Sequence, residues 1–277
     1  MPTPYRRIEG RRGPRSAGFT PPGPVTRTPP PDEGRSSFRQ VWSDLLFVHW
    51  EVRPQAVADL FPPGTRPDVI DGRTFVGLVY FEMRDLSFAM GPALPVIGHF
   101  PEINVRLYSV DATGRRGVVF LSLDCARLLP TLAARGAFGL PYRWASARRL
   151  RFGDRLLYTV RRRGPAGGRS RVWGTVEEEE RHPSPLDDFL TARWGLHAEA
   201  WGRTYYWPLH HEPWRFQQVD LLSLEDELIG AATGLPVADS PPASVLYSPG
   251  LPVHFGIPIR VGAAGTETAT GADHQRP

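Results

Sequence analysis

The chain has 277 residues, 41% of them hydrophobic, which is enough to bury one sizeable core. Its sequence pI near 9.6 comes from the first 37 residues, where seven arginines face three acids; the other 26 basic and 26 acidic residues cancel, so no specific nucleic-acid partner is expected. A single cysteine, Cys125, excludes an internal disulfide and a thiolate metal cluster, no apolar secretory segment opens the chain, and the uncharged stretch between Leu86 and Glu102 is broken by prolines.

Residues 1–37 hold Pro, Gly, Ser and Arg with few large apolar side chains, and residues 262–277 are small and polar; both are expected to be disordered tails around one domain, 38–261. Within it Leu45–Val52 alternates as a strand, and Pro54 starts a short helix through Leu60 at the position where a missing amide costs nothing. Asp71-Gly72 is a hairpin signal between 67–70 and 74–81. Residues 101–108 and 117–124 read as strands, Ala126–Arg135 as a helix bent at Pro130 with Asp124 as its cap, and 138–145 as a turn into a strand. Residues 150–163 and 169–176 flank a glycine-rich turn, Ser184 caps a helix with Pro185 at its first position, and two more strands are expected near 204–207 and 217–222.

The stretch from Pro101 to Tyr108 alternates strictly. In a strand, Glu102, Asn104, Arg106 and Tyr108 share one face while Ile103, Val105 and Leu107 go to the other. A carboxylate, an amide, a guanidinium and a phenol in one row make either the solvated outside of an antiparallel sheet or the polar wall of an enclosed pocket, and composition alone favours the outside.

The row Glu102, Asn104, Arg106, Tyr108, followed by Phe120, Ser122 to Asp124, Ala134-Arg135, Gly139 to Arg143 and Ala145, resembles the bacterial YqjF-like proteins, the DUF2071 family. Trp42 to Trp50, Leu60 to Gly64, Asp188 to Arg193, His211 with Pro213-Trp214, and Tyr247 to Gly250 carry the same resemblance, which extends over about residues 38 to 260. It implies an α+β, mainly antiparallel β architecture: a cone-like β-barrel similar to acetoacetate decarboxylase, with short flanking helices around a small pocket. Those enzymes work through a lysine Schiff base. This chain has no lysine, all 33 basic residues being arginine, and a guanidinium neither condenses with a ketone nor loses its proton. Lysine-dependent decarboxylation is therefore excluded, and the segment around Tyr142-Arg143 is similar to the neighbourhood that carries the lysine in those enzymes.

The candidate site follows. Glu102 is the candidate acid or base, provided that a partly apolar pocket raises its pKa; Asn104, Arg106, Tyr108, Tyr142, Arg143 and His211 are the candidate ligand-binding residues, with Arg106 or Arg143 as a fork for a carboxylate. The competing reading makes each charge half of a structural ion pair. The adjacent His210 and His211 point in different directions and lack zinc spacing, Ser122 lacks a nucleophile elbow, and no glycine loop has a phosphate-binding setting, so neither metal nor cofactor is expected. Two classes remain: a module binding a small anionic metabolite, or a cofactor-independent lyase or hydrolase for a keto-acid-like substrate. The expected setting is cytoplasmic and off the membrane, and exposed barrel edges leave a homodimer open.

Overall fold

The computed structural model describes residues 19–31, 36–88, 91, 98–126, 139–164 and 167–262. Thirteen strands join into one sheet: β1 (Phe38–Val52), β2 (Thr65–Pro67), β3 (Thr74–Phe88), β4 (Phe100–Asp111), β5 (Arg116–Cys125), β6 (Tyr142–Phe152), β7 (Arg155–Arg162), β8 (Arg169–Arg181), β9 (Gly195–Ala200), β10 (Arg203–His211), β11 (Phe216–Asp226), β12 (Ser244–Phe255) and β13 (Ile259–Arg260). Among the described residues three short α-helices, α1 (Pro54–Val57), α2 (Pro185–Thr191) and α3 (Leu228–Thr233), flank it. The mainly antiparallel β architecture expected from the resemblance is observed; the parallel exceptions are β5 against β6 and β5 against β9.

The sheet closes on itself twice. Strands β1, β3, β4, β5, β9, β10 and β12 form a seven-membered ring through the pairing of β10 with β12. A second ring runs from β5 through β6, β7, β8 and β11 back to β12. The two share β12, β1, β3, β4 and β5, so these strands form a partition with an apolar cluster on each side. Phe47, Phe75, Phe81, Phe189 and Trp207 fill the first ring, and Trp50, Tyr80, Ile103, Val105 and Tyr158 the second. A strand buried on both faces reads as a continuous apolar run, which is why every residue from Leu45 to Trp50 is buried.

Local chemistry explains the joints. Ser184 and Asp187 form a reciprocal capping box that starts α2, as the sequence indicates. Asp71 and Gly72, at φ of 51° and 78°, close the tight turn signalled by their sequence, but it holds only a bridge between Ile70 and Arg73. The flanking segments then part: β2 pairs with β4, and β3 with β1 and β4, so this is no two-stranded hairpin. The run 150–163, read from the sequence as one strand, is divided by a turn at Gly153 (φ 62°) into β6 and β7. The expected helix 126–135 lies outside the described residues except at Ala126, and the Asp124 carboxylate is engaged elsewhere. It takes Arg162 Nε at 2.6 Å and Nη2 at 2.8 Å in a bidentate pair buried inside the second ring, with Ser122 Oγ also accepting from Nη2.

Residues 19–31, expected from composition to belong to a disordered tail, run over the barrel wall without regular structure. The Thr20 amide donates to the Ala112 carbonyl at 2.9 Å, Arg116 Nε to the Gly23 carbonyl at 2.8 Å and Trp194 Nε1 to the Thr26 carbonyl at 3.0 Å, while Arg27 pairs with Asp188 at 2.7 Å. No helix among the described residues is long and apolar enough to cross a membrane.

Candidate functional site

The polar row on β4 faces neither solvent nor a polar sheet surface. Glu102, Asn104 and Arg106 are 1%, 3% and 7% exposed and point into the seven-strand ring with Tyr108, while Ile103, Val105 and Leu107 pack in the second ring. Burial on this scale demands partners, because an ionised side chain stripped of water costs several kcal/mol even after relaxation.

At one end of the row the Glu102 carboxyl is the central group. With the Asn104 amide oriented nitrogen toward it, Nδ2 donates to Glu102 Oε1 at 3.0 Å and to the Ile103 carbonyl at 3.3 Å. Tyr142, brought in by β6, hydrogen-bonds the same carboxyl, yet Oε2 retains no close partner among the described residues. Burial pushes the Glu102 pKa up to about 8, outweighing the Tyr142 and Asn104 bonds that pull it down, and the nearby Asp124 pushes it further up. At neutral pH the group is therefore mostly a neutral acid with a proton to give. Burial, with the Glu102 charge adding to it, also holds the Tyr142 phenol well above its ordinary range, so it serves as a donor.

At the other end Arg106 lies over the rings of Phe47 and Tyr108, each about 5.4 Å from its guanidinium carbon. Nη2 donates to the Leu190 carbonyl at 2.9 Å and Nε to the Tyr108 hydroxyl at 3.3 Å. No carboxylate among the described residues lies within ion-pair distance, whereas the buried Arg162 and Arg193 are neutralised by Asp124 and Asp68. Beside Arg106 stands His49, fully buried, its ring 6.1 Å from that of Tyr108, with the Ser244 backbone beside it and no side-chain hydrogen-bond partner among the described residues. Burial first and the Arg106 charge second hold it well below its ordinary pKa, so it is neutral. Gly77 on β3 makes room for this group, since a Cβ there would stand 3.1 Å from His49 and the Tyr108 hydroxyl and 3.3 Å from Arg106.

The remaining candidates separate. Tyr142 joins Glu102, but Arg143, the next residue along β6, points to the opposite face, the one it shares with Ala145 of the second core. It is not brought to the Glu102–Arg106 row. His211 lies at the edge of the ring, its imidazole 4.6 Å from both Trp194 and Trp214, with Nδ1 at 2.6 Å from the Glu212 carbonyl; burial lowers its pKa to about 4. It lines a narrow recess with Asp188 and Arg27. Sequence reasoning missed His49 and Gly77; in the structure Leu45, Phe47 and His49 share the face that points into the seven-strand ring.

A serine, histidine and carboxylate also meet nearby. Ser109 Oγ is 2.8 Å from His197 Nδ1, and His197 Nε2 is 3.6 Å from Asp111 Oδ2. All three are at most 1% exposed and Tyr206 packs on the ring, so the trio supports the fold. No cluster of three or more His, Cys, Asp or Glu suited to a metal occurs among the described residues.

Comparison with known proteins places this geometry. The family DUF2071, described as an uncharacterised conserved protein, matches residues 39–252. The uncharacterised protein YqjF of Bacillus subtilis (strain 168) is 30% identical over 206 residues, covering 74% of this chain and 84% of its own. Among solved structures, acetoacetate decarboxylase from Legionella pneumophila superposes with a TM-score of 0.59 at 13% identity, covering 82% of this chain and 88% of its own. An acetoacetate decarboxylase-like enzyme from Sphingomonas wittichii RW1 gives 0.56 at 15% (82% and 94%), and the enduracididine biosynthesis enzyme MppR complexed with pyruvate gives 0.53 at 14% (85% and 92%). These structural likenesses establish the shared fold.

Proposed function

The chain belongs to the DUF2071 family, and from that premise we propose that it takes a small anionic metabolite into its seven-strand ring without Schiff-base chemistry. The observation that carries this reading is Arg106: a buried guanidinium resting on two aromatic rings, with carbonyl and phenol partners and no carboxylate counter-charge among the described residues. An entering carboxylate supplies the counter-charge in a dry setting, where a charge-assisted pair is strong. The neutral imidazole of His49, held by the Ser244 backbone, adds a polar ring beside it. MppR, which shares the fold, is described in complex with pyruvate, itself a small carboxylate.

A second reading rests on Glu102. A carboxyl that keeps its proton to about pH 8, with Tyr142 beside it and an Oε2 that has no close partner among the described residues, is poised as a general acid toward the part of the ligand distant from Arg106. The two residues lie about 13 Å apart along the strand, so a ligand engaging both is elongated. On this reading the protein is a cofactor-independent lyase or hydrolase.

Thermal shift with carboxylates of graded length, with and without an oxo group, tests both readings. A ligand at about 100-fold its dissociation constant adds roughly 2.7 kcal/mol. The shift is expected to vanish in Arg106→Met, and turnover of the hit that is lost in Glu102→Gln establishes the enzyme. Melting curves indifferent to every carboxylate in both wild type and Arg106→Met would remove the anion site.

A further inference from the structure

Formal charge cancels over residues 38–277, but the arginines are not evenly placed. We propose that the outer face of the β6–β7–β8 ladder is a docking surface for single-stranded nucleic acid, bound through its phosphates and without sequence preference, independently of the interior site.

Two rows carry the argument. Register aligns Ser146, Arg161 and Arg169 across the three strands, and next to them Arg148, Thr159 and Arg171. Neighbouring strands are about 4.8 Å apart and successive outward residues about 6.7 Å, so four arginine stems share a patch of roughly 10 by 7 Å. Arg161 and Arg169 stand directly opposite each other, an arrangement that repels in an isolated sheet. Arg169 has an exposed pair with Glu227 at 3.0 Å, but among the described residues Arg148, Arg161 and Arg171 have no ion-pair partner. The hydroxyls of Ser146 and Thr159 alternate with the guanidinium groups. A shallow depression of about 410 Å³ lies over Arg148, Thr159, Arg161 and Arg171 with Glu225, opposite Arg171 on β11, at its margin, and a second of about 430 Å³ lies beyond the Arg161–Arg169 pair toward Gly164, Gly168 and Glu227. Arginines outnumber the single carboxylate in each depression, and two adjacent depressions with that excess suit a chain of repeated phosphates.

Shape and neighbouring residues select the occupant. A flat anionic membrane would also meet the exposed acidic run Glu177 to Glu180 further along β8, whereas a linear polyanion crosses the arginine rows and avoids it. Trp144 and Phe152, on the same outer face of β6 as Arg148, are 41% and 61% exposed, and the Arg163 guanidinium lies 4.7 Å over the Trp144 ring. Such rings offer stacking to unpaired bases and nothing comparable to an acidic peptide. A duplex hides its bases, and this sheet face presents no element that enters a groove.

The test is fluorescence anisotropy of a labelled single-stranded oligonucleotide of about 20 bases with the full chain. With four phosphates neutralised, affinity should fall roughly 50-fold when salt rises fourfold. The Arg161→Ala/Arg169→Ala variant should lose at least about tenfold and halve the salt slope, and Arg148→Gln/Arg171→Gln should do the same should the first pair not fold. Melting curves establish that each variant is folded. Absence of binding at low salt, unchanged binding in the folded variants, equal binding of polyglutamate, or binding of phosphatidylserine vesicles in place of the oligonucleotide would each overturn the proposal.

Discussion

Glu102 and Tyr142 meet across an intervening strand: β5 lies between them, with Cys125 opposite Glu102 and Leu123 opposite Tyr142 in register. Their hydrogen bond crosses the parallel joint between β5 and β6, the start of the second ring. The acid of the interior site is thus fixed by long-range pairing rather than by a loop.

That fixation has a pH signature. A carboxyl whose pKa is about 8 when folded and near 4.5 when unfolded binds its proton more tightly in the native state. It is neutral in both states below about pH 4.5, and it costs stability progressively as pH rises to about 8. The Glu102→Gln variant should therefore match wild type near pH 4 and exceed it by about 3–5 kcal/mol at pH 9. Urea denaturation at both pH values measures this, and equal differences at the two would show that the carboxyl titrates normally.

Gly77→Ala should disturb the Arg106 end. Its Cβ would press on His49, the Tyr108 hydroxyl and the Arg106 stem at 3.1–3.3 Å, costing about 1–3 kcal/mol and abolishing any carboxylate-dependent thermal shift. Retained ligand response would place the binding group elsewhere.

Arg162→Ala leaves the Asp124 carboxylate buried without its bidentate partner, a loss of about 3–5 kcal/mol. The double change Arg162→Met with Asp124→Leu should recover most of it, because an apolar pair of similar size avoids the desolvation cost. Chemical denaturation of both variants gives the comparison; a double variant as weak as the single one would count against a purely electrostatic origin.

Removing residues 1–31 should lower the melting temperature by several degrees. The contacts of Thr20, Gly23, Thr26 and Arg27 with the barrel are each worth about 1 kcal/mol at most, and about 1 kcal/mol moves Tm by roughly 2–4 °C in a domain of this size. An unchanged Tm would restore the sequence expectation of a solvated extension.

Much of the site and some of its supports are legible in the amino-acid sequence alone. The alternation of residues 101–108 assigns the polar row and its apolar reverse, and Ser184-Pro185 marks the start of α2. The strand β12 is not legible, since Pro249, Gly250 and Pro252 argue against it. They are accommodated where β1 bulges at Asp44 (φ 51°), with Gly250 at φ 111° close against the Trp42 carbonyl. His49 is hidden because both faces of β1 are buried, so periodicity gives no moment to mark the inner side. The resemblance around Tyr142-Arg143 groups Arg143 with the site, and strand parity sends its side chain the other way.

The partition of β1, β3 and β4 between two rings governs access as well as shape. Its amides have strands on either side and packed side chains above and below, so their hydrogen exchange should proceed only through global unfolding. A wall that cannot breathe does not admit a guest between its strands. Any molecule reaching Arg106 has to enter through an end of the ring, where recognition begins before the buried charge is met.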